Sequence, residues 1–398
     1  MNFLSLFILL RELKLGTLTA LATVALFAVS PQYIFWSRTF MIESTAICLA
    51  VTYLMFVVLA LNYDGARGTQ IFVFGALSAV AGALAGVVKI TTYVPFLLGA
   101  LLLIGCRIWE SWDGSRLRGA LVIFLPLCAV LIPVLSVAIW TAYADSVKDQ
   151  STISHFLTSH MLRRWNFGTL QQRVELANYA HFAGIVDNLI GNRFILLISC
   201  GIALAASGYT LRVIMTCLAL YGSAIAIFFN LHLVHTYYAY GNGIFLVTAV
   251  GVAVGSLLNV GGRKSWIGVC FFSLAIGICI MQYFHGYYRL QRANAPGRPA
   301  AAAIVDRETK PSDILLIYGL DWSAELPYQA HRRAIMLPEF QRDASLREAV
   351  REESMNHISS LLICDEGRKS SSDILTTLHE GGVNSTRRFD KGCEIELR

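Results

Sequence analysis

Apolar residues fill the first 290 positions in long runs, and polar residues are confined to short gaps between them. A membrane-spanning helix needs roughly 20 mainly apolar residues. Nine stretches answer to that: 17–36, 43–62, 70–88, 90–106, 119–140, 193–210, 212–230, 238–259 and 265–284. Runs of this length predict helices rather than strands. Ahead of them, MNFLSLFILL carries about half a span before the charges of RELK. With no basic leader and no small-residue cleavage site it is a poor signal peptide. It reads as the last half of a membrane helix whose beginning is absent. The expected class is a mainly α, polytopic membrane bundle over residues 1–290, with about nine full spans plus a partial first one.

Two parts break this pattern. Residues 141–192 form a long loop in which Leu170, Val174, Ala177, Phe182, Ile185 and Leu189 recur at near-helical spacing. That spacing predicts an amphipathic helix, either lying in the membrane interface or packed on the bundle. After a linker at 291–305 containing NAPGRPAAA, residues 306–398 change character. DILLIYG (313–319), ISSLLICD (358–365) and CEIEL read as strands; ASLREAVREES and SSDILTTLHE read as helices, the second with a serine fit for N-capping. The expectation is a small C-terminal α/β domain.

Composition agrees with the pattern. Hydrophobic residues make up 56% of the 398 and charged residues 15%, against the roughly 25% charged residues of soluble chains. The net charge of +6 is spread over short loops with no basic run, which speaks against nucleic acid as a partner. Alternating the spans gathers Arg11, Lys14, Arg67, Arg107, Arg116, Arg118, Arg212, Arg263 and Lys264 into short loops on one side. The positive-inside rule makes that side cytoplasmic. The other side then carries residues 37–42, Lys89, the 141–192 loop, the C-terminal domain and all nine histidines. Seven cysteines fall in or beside spans, as small apolar residues. Cys364 and Cys393 belong to the outer domain, where a disulfide is permitted, and their pairing stays open.

The polar residues of the outer side carry the chemistry. In SRTFMIES, Arg38 and Glu43 read either as charges marking helix ends or as the rim of an active site. An arginine, four residues, then an acid followed by a small residue, after a helix ending SPQYIFW, resembles the second acidic motif of the C-type glycosyltransferases. These include the protein O-mannosyltransferases and the lipid A aminoarabinose transferases. GALAGVVKITTYVPFLL (82–98), SHMLRRW (159–165), HLVHTYYAYGNGIFL (232–246) and YGLDWSAELPYQAHRRAIMLP resemble further family segments, in family order. This chain has Glu43 where the family usually has Asp, and nothing in it corresponds to the family's first acidic outer loop.

The resemblance implies an inverting transfer of a sugar from a polyprenyl-phosphate donor to an acceptor at the outer membrane boundary. The acceptor, whether glycan, lipid or protein, stays open. Arg38 and Glu43 become the catalytic candidates. Lys89, Arg163 and Arg164 become candidates for the donor phosphate, though Lys89 also reads as a snorkelling helix-end lysine and the arginines as a solvated pair. His235, Tyr237 and Tyr238 become head-group contacts, or alternatively part of an interfacial aromatic belt. His160 and Glu43 are weak candidates for a divalent metal, His160 reading more readily as an ordinary surface or packed side chain. The half-helix at residue 1 implies a chain that starts late and transfers little by itself. Two other classes stay in view: a flippase for a lipid-linked sugar, and a catalytically incomplete membrane scaffold. The ionisable residues gather at one face and no internal repeat is evident, which favours the enzyme over the transporter.

This topology has a direct check. A reporter active only outside the cytoplasm, fused after Arg398, is expected to be active, and a fluorescent protein that matures only in the cytoplasm to stay dark there.

Overall fold

Backbone groups in hydrocarbon must bond within their own segment, so unbroken apolar runs fold as helices. The computed structural model describes residues 2–39, 41–62, 69–110, 123–150, 154–293, 300–318, 320, 323–337, 358–364, 385–388 and 393–397. It divides into two units, Met1–Tyr143 with Leu162–Ala293, and Ala144–Met161 with Asn294–Arg398.

The first unit begins with α1 (Asn2–Glu12), α2 (Thr17–Val29), α3 (Pro31–Trp36), α4 (Glu43–Leu61), α5 (Thr69–Val88) and α6 (Ile90–Glu110). It continues through α7 (Ile132–Lys148, entered by a π-turn at Leu127–Leu131) into the short α8 (Arg163–Phe167) and α9 (Leu170–Val174). Then come α10 (Leu176–Ile190), α11 (Arg193–Ala205), α12 (Gly208–Ile227), α13 (Phe229–Val234), α14 (Tyr237–Leu258), α15 (Gly262–Tyr283) and α16 (Arg289–Ala293). Among the described residues, seven helices are long and apolar enough to cross a membrane, and up to eight if a bent pair counts as one span. The protein is a multi-pass membrane protein.

The seven long helices fall on seven of the nine expected spans. The other two are interrupted, each for a local reason. The 17–36 run breaks at Ser30, because Pro31 cannot donate to the α2 ladder and opens α3 as its first residue. The Ser30 hydroxyl donates to Leu189 O at 2.5 Å, fixing the break against α10. The 193–210 run is cut at Ser207, which caps α12 by accepting from Thr210 N at 3.3 Å, and α11, ahead of that cut, meets α10 at a bend of 83°. There Gly191 has φ +84°, Asn192 caps α11 by accepting from Phe194 N at 2.9 Å, and Arg193 pairs with Asp187 at 2.5 Å. Helix α7 runs on to Lys148, so the long loop starts later than the expected 141. Its apolar stripe is divided: Phe182, Ile185 and Leu189 are buried against the bundle, while Leu170, Val174 and Ala177 are exposed.

Helix α14 is the axis of the first unit. Every residue from Ala239 to Gly255 is buried, because α2, α4, α12 and α15 all pack on it. A helix apolar on all sides belongs in such a core. Its glycines let α2 approach closely. A Cβ at Gly251 would lie 2.1 Å from Thr23 Oγ1, and one at Gly255 2.2 Å from Thr19 Oγ1.

In the second unit, the parallel strands β1 (Ile314–Tyr318), β2 (Arg333–Leu337) and β3 (Ile358–Cys364) are continued by β4 (Ser385–Arg388) and β5 (Cys393–Leu397), in the order β2-β1-β3-β5-β4. β5 runs antiparallel between β3 and β4, in a register that sets Cys364 opposite Cys393. Ala300–Glu308, placed at the linker's end by the sequence, forms α17 and contributes Ala301, Ala302 and Val305 to this unit's core, beside Leu326 and Ala330 of α18 (Glu325–Ala330). The buried Arg332 guanidinium caps α17 by donating to Asp306 O at 3.0 Å and Thr309 O at 2.6 Å. The helices expected from ASLREAVREES and SSDILTTLHE lie outside the described residues.

Gly251→Ala is expected to cost about 1–3 kcal/mol by overpacking the α2–α14 contact. Gly277→Ala on α15, where a Cβ would meet nothing within 4 Å, is expected to lose no stability. Thermal unfolding of the two detergent-solubilised variants decides.

Candidate active site

Three helices begin at the same end of the first unit and pack against one another: α4 at Glu43, α6 just after Lys89, and α14 at Tyr237. The first amides of a helix have no intrahelical acceptor, and the dipole makes that end positive. Glu43 opens α4, where a negative charge is favoured. It is also fully buried, which a carboxylate tolerates only with a partner. Lys89, in the one-residue joint between α5 and α6, is that partner: its Nζ donates to Glu43 Oε1. The two side chains are 1% and 13% exposed, so the pair is nearly out of reach of water. Glu43 Oε2 has no hydrogen-bond partner among the described residues.

Aromatic rings lie against the ammonium. Lys89 Nζ lies 4.5 Å from the Tyr238 ring centroid and 5.2 Å from that of Tyr237, both cation–π distances. Tyr237 stacks on His235 at 4.9 Å, and Trp165 of α8 approaches His235 at 6.0 Å. Trp36 stands edge-on to Tyr237 at 5.8 Å. The arrangement is a row of ring faces leading to a buried cation.

Polar contacts from several elements hold this row. Gln32 Nε2 donates to Thr236 O at 2.5 Å, tying α3 to the turn before α14. Tyr240 OH and Ser44 Oγ bond at 2.9 Å, tying α14 to α4 beside Glu43. On α13, His232 Nδ1 bonds Phe228 O at 2.9 Å, so its Nε2 is left to accept from Asn242 Nδ2 at 3.0 Å. Burial pushes the His232 pKa down to about 4, in keeping with that neutral tautomer. Asn230 carries the outer loop: its Nδ2 donates to Trp165 O and its Oδ1 accepts from Gln172 Nε2, both at 2.8 Å.

The structure thus brings together Glu43, Lys89, His235, Tyr237 and Tyr238. It sets the arginines apart. Arg38 is exposed, at the rim of a cleft of about 350 Å³ lined by Phe3, Phe27, Tyr33, Ile34 and Tyr240. The carboxylate's ionic partner is Lys89 rather than Arg38. Arg163 and Arg164 are exposed on α8, beside Trp165. His160 is an exposed residue of the second unit, whereas Glu43 belongs to the first. Among the described residues no three His, Cys, Asp or Glu side chains gather into a metal site. Glu43 offers one oxygen without a partner among the described residues. The sequence reading missed Gln32, Ser44, Trp165, Tyr240 and the His232–Asn242 pair. Gln32 and Asn242 carried a signal, as lone amides inside apolar runs.

Breaking a buried pair by removing one partner strands the other charge and costs about 3–5 kcal/mol, more than replacing both. Lys89→Met is therefore expected to lower the unfolding temperature more than the Glu43→Gln/Lys89→Met double variant does. A double variant as unstable as the single one would show that the pair is uncoupled.

No family model matches the sequence, and no curated protein matches it. Solved structures do match. ArnT from Cupriavidus metallidurans bound to undecaprenyl phosphate aligns with a TM-score of 0.60, over 99% of this chain and 82% of that one, at 13% identity. Its apo crystal structure gives 0.59, 99% and 81%, at 12% identity. The cryo-EM structure of the arabinofuranosyltransferase AftD from Mycobacteria gives 0.53 over 100% of this chain, at 14% identity, and this chain spans 32% of AftD's length. At such identities what is shared is the architecture. The chain has the fold of the polytopic C-type glycosyltransferases, the family its motifs resemble.

Proposed function

We propose that this protein is an integral-membrane glycosyltransferase of the plasma (inner) membrane, moving a sugar from a polyprenyl-phosphate donor to an acceptor on the extracytoplasmic side. The observation that carries the reading is the Glu43–Lys89 pair, buried under Tyr237 and Tyr238 where three helices start. ArnT, of the same fold, was solved with undecaprenyl phosphate bound, which supports a lipid-phosphate donor.

The chemistry follows from the residues. The lipid tail stays in the bilayer, and the phosphate reaches the end of the bundle where Lys89 sits. The acceptor hydroxyl attacks the anomeric carbon from the face opposite the phosphate, which inverts the configuration. Its proton passes to the open oxygen of Glu43. The bond between the anomeric carbon and the phosphate oxygen breaks, and its electron pair stays on the phosphate. Lys89 and the amides at the three helix N-termini stabilise that growing charge. Little water reaches them, so each interaction counts for more than it would in solvent. His235, Tyr237 and Tyr238 offer flat faces for the sugar and the head group, and the exposed Arg163 and Arg164 supply positive charge nearby.

Membranes carrying the protein, given radiolabelled polyprenyl-phosphate sugars and candidate acceptors, are expected to transfer label and release polyprenyl phosphate. Movement of the intact lipid across the bilayer would instead identify a flippase. Glu43→Gln is expected to lower transfer by about 10²–10⁴-fold, the usual contribution of a general base. Near-normal turnover in that variant would leave Glu43 only its ion-pair role.

A further inference from the structure

We propose that Glu43 competes with the donor's phosphate for Lys89, so that the buried ion pair is the resting, closed form of the phosphate site. The inference rests on the reading of Lys89 as the phosphate contact and specifies how that contact is made available.

The argument is one of space and charge. The Lys89 ammonium has the Glu43 carboxylate as its ionic partner, and the faces of Tyr237 and Tyr238 lie 5.2 and 4.5 Å away. Its side chain is 13% exposed, so most of its donor capacity is already taken up or covered. A phosphate that reached Lys89 with the pair intact would place two anions around one cation, beside a carboxylate that is 1% exposed. With so little water the repulsion between them is only weakly screened. Exchange of partners is the lower-energy route: Lys89 leaves Glu43 for the phosphate.

Two features make the exchange workable. The tyrosine rings hold the ammonium in place by cation–π attraction whether or not Glu43 is bound, so Glu43 is not needed to position it. Once released, Glu43 has both oxygens free to take a proton from an acceptor hydroxyl. Donor arrival thus frees Glu43 Oε1, and the carboxylate meets the acceptor with both oxygens instead of Oε2 alone.

The test measures binding of undecaprenyl phosphate to the purified full chain in lipid nanodiscs, with undecaprenol as the phosphate-free control. Glu43→Gln is expected to bind undecaprenyl phosphate about tenfold more tightly than wild type, since no ion pair has to be broken first, and undecaprenol equally. Equal or weaker binding of the phosphate by Glu43→Gln would overturn the competition and make Glu43 a support for Lys89. The Glu43→Gln/Lys89→Met double variant is expected to lose the preference for the phosphate over undecaprenol. If it keeps that preference, the assignment of Lys89 to the phosphate falls as well; if it loses the preference while Glu43→Gln binds no tighter, the competition alone falls. Infrared difference spectra of wild type need no variant to fold. Adding undecaprenyl phosphate is expected to shift a carboxylate band that undecaprenol leaves unmoved, and an unmoved band would sink the proposal.

Discussion

The ion pair between Glu43 and Lys89 is the constraint around which this end of the molecule is built. Removing two charges from water is unfavourable, and their mutual attraction offsets that loss only when the geometry is held. The holding elements come from all along the chain. α4 supplies the acid in its first turn, the α5–α6 joint supplies the base, and α14 supplies the rings that cover it. α3 fixes the turn before α14 through Gln32, and α4 and α14 are tied by Ser44 and Tyr240. A residue-poor loop at 89 is therefore more constrained than its length implies, because both helices it joins must end where the lysine can reach Glu43.

The single-residue joint also explains what sequence could and could not reveal. Apolar length alone located the long helices, since hydrocarbon leaves a chain few other options. The interruptions were harder to see. Pro31 sits inside a run that reads as continuous and Gly191 just ahead of one; the Ser30 hydroxyl on Leu189 O bridges 159 residues, whereas the Asp187–Arg193 clasp spans six. Glu43 and Lys89 were each legible as charges at span ends, and Tyr237 and Tyr238 as interfacial rings. Their convergence was not legible, because 46 residues separate the acid from the base, and no local pattern encodes a contact at that distance. Arg38, nearer in sequence to Glu43, was the more obvious partner and lies on an exposed turn instead.

The second unit shows the same division. DILLIYG, ISSLLICD and CEIEL became β1, β3 and β5, the three strands with neighbours on both sides. β2 (RAIML) and β4 (STRR) are the two edges and were missed. β4 is polar and charged throughout, as edge strands often are to blunt unwanted pairing, which erases the signal by which a strand is read; β2 is apolar after Arg333 but only five residues long. α17 was hidden for a related reason, its alanines being continuous with the Pro- and Gly-bearing stretch before it.

A phosphate site normally advertises itself by several basic residues, and the one proposed for this end of the bundle does not. Helices α4, α6 and α14 start at the same end and touch one another, so their N-terminal dipoles add where Lys89 stands. That positive potential comes from backbone, costs no charged side chain and leaves no mark on composition. With it in place one lysine suffices, and one glutamate is enough to keep that lysine neutralised inside the protein. A second buried cation would need its own counter-ion or would remain unpaired away from water. The arginines of this end, Arg38, Arg163 and Arg164, accordingly stay exposed. The sparse charge of the sequence and the buried pair are two consequences of the same economy: in a medium hostile to charge, backbone dipoles carry as much of the electrostatics as they can, and side-chain ions are kept to the minimum that can be matched.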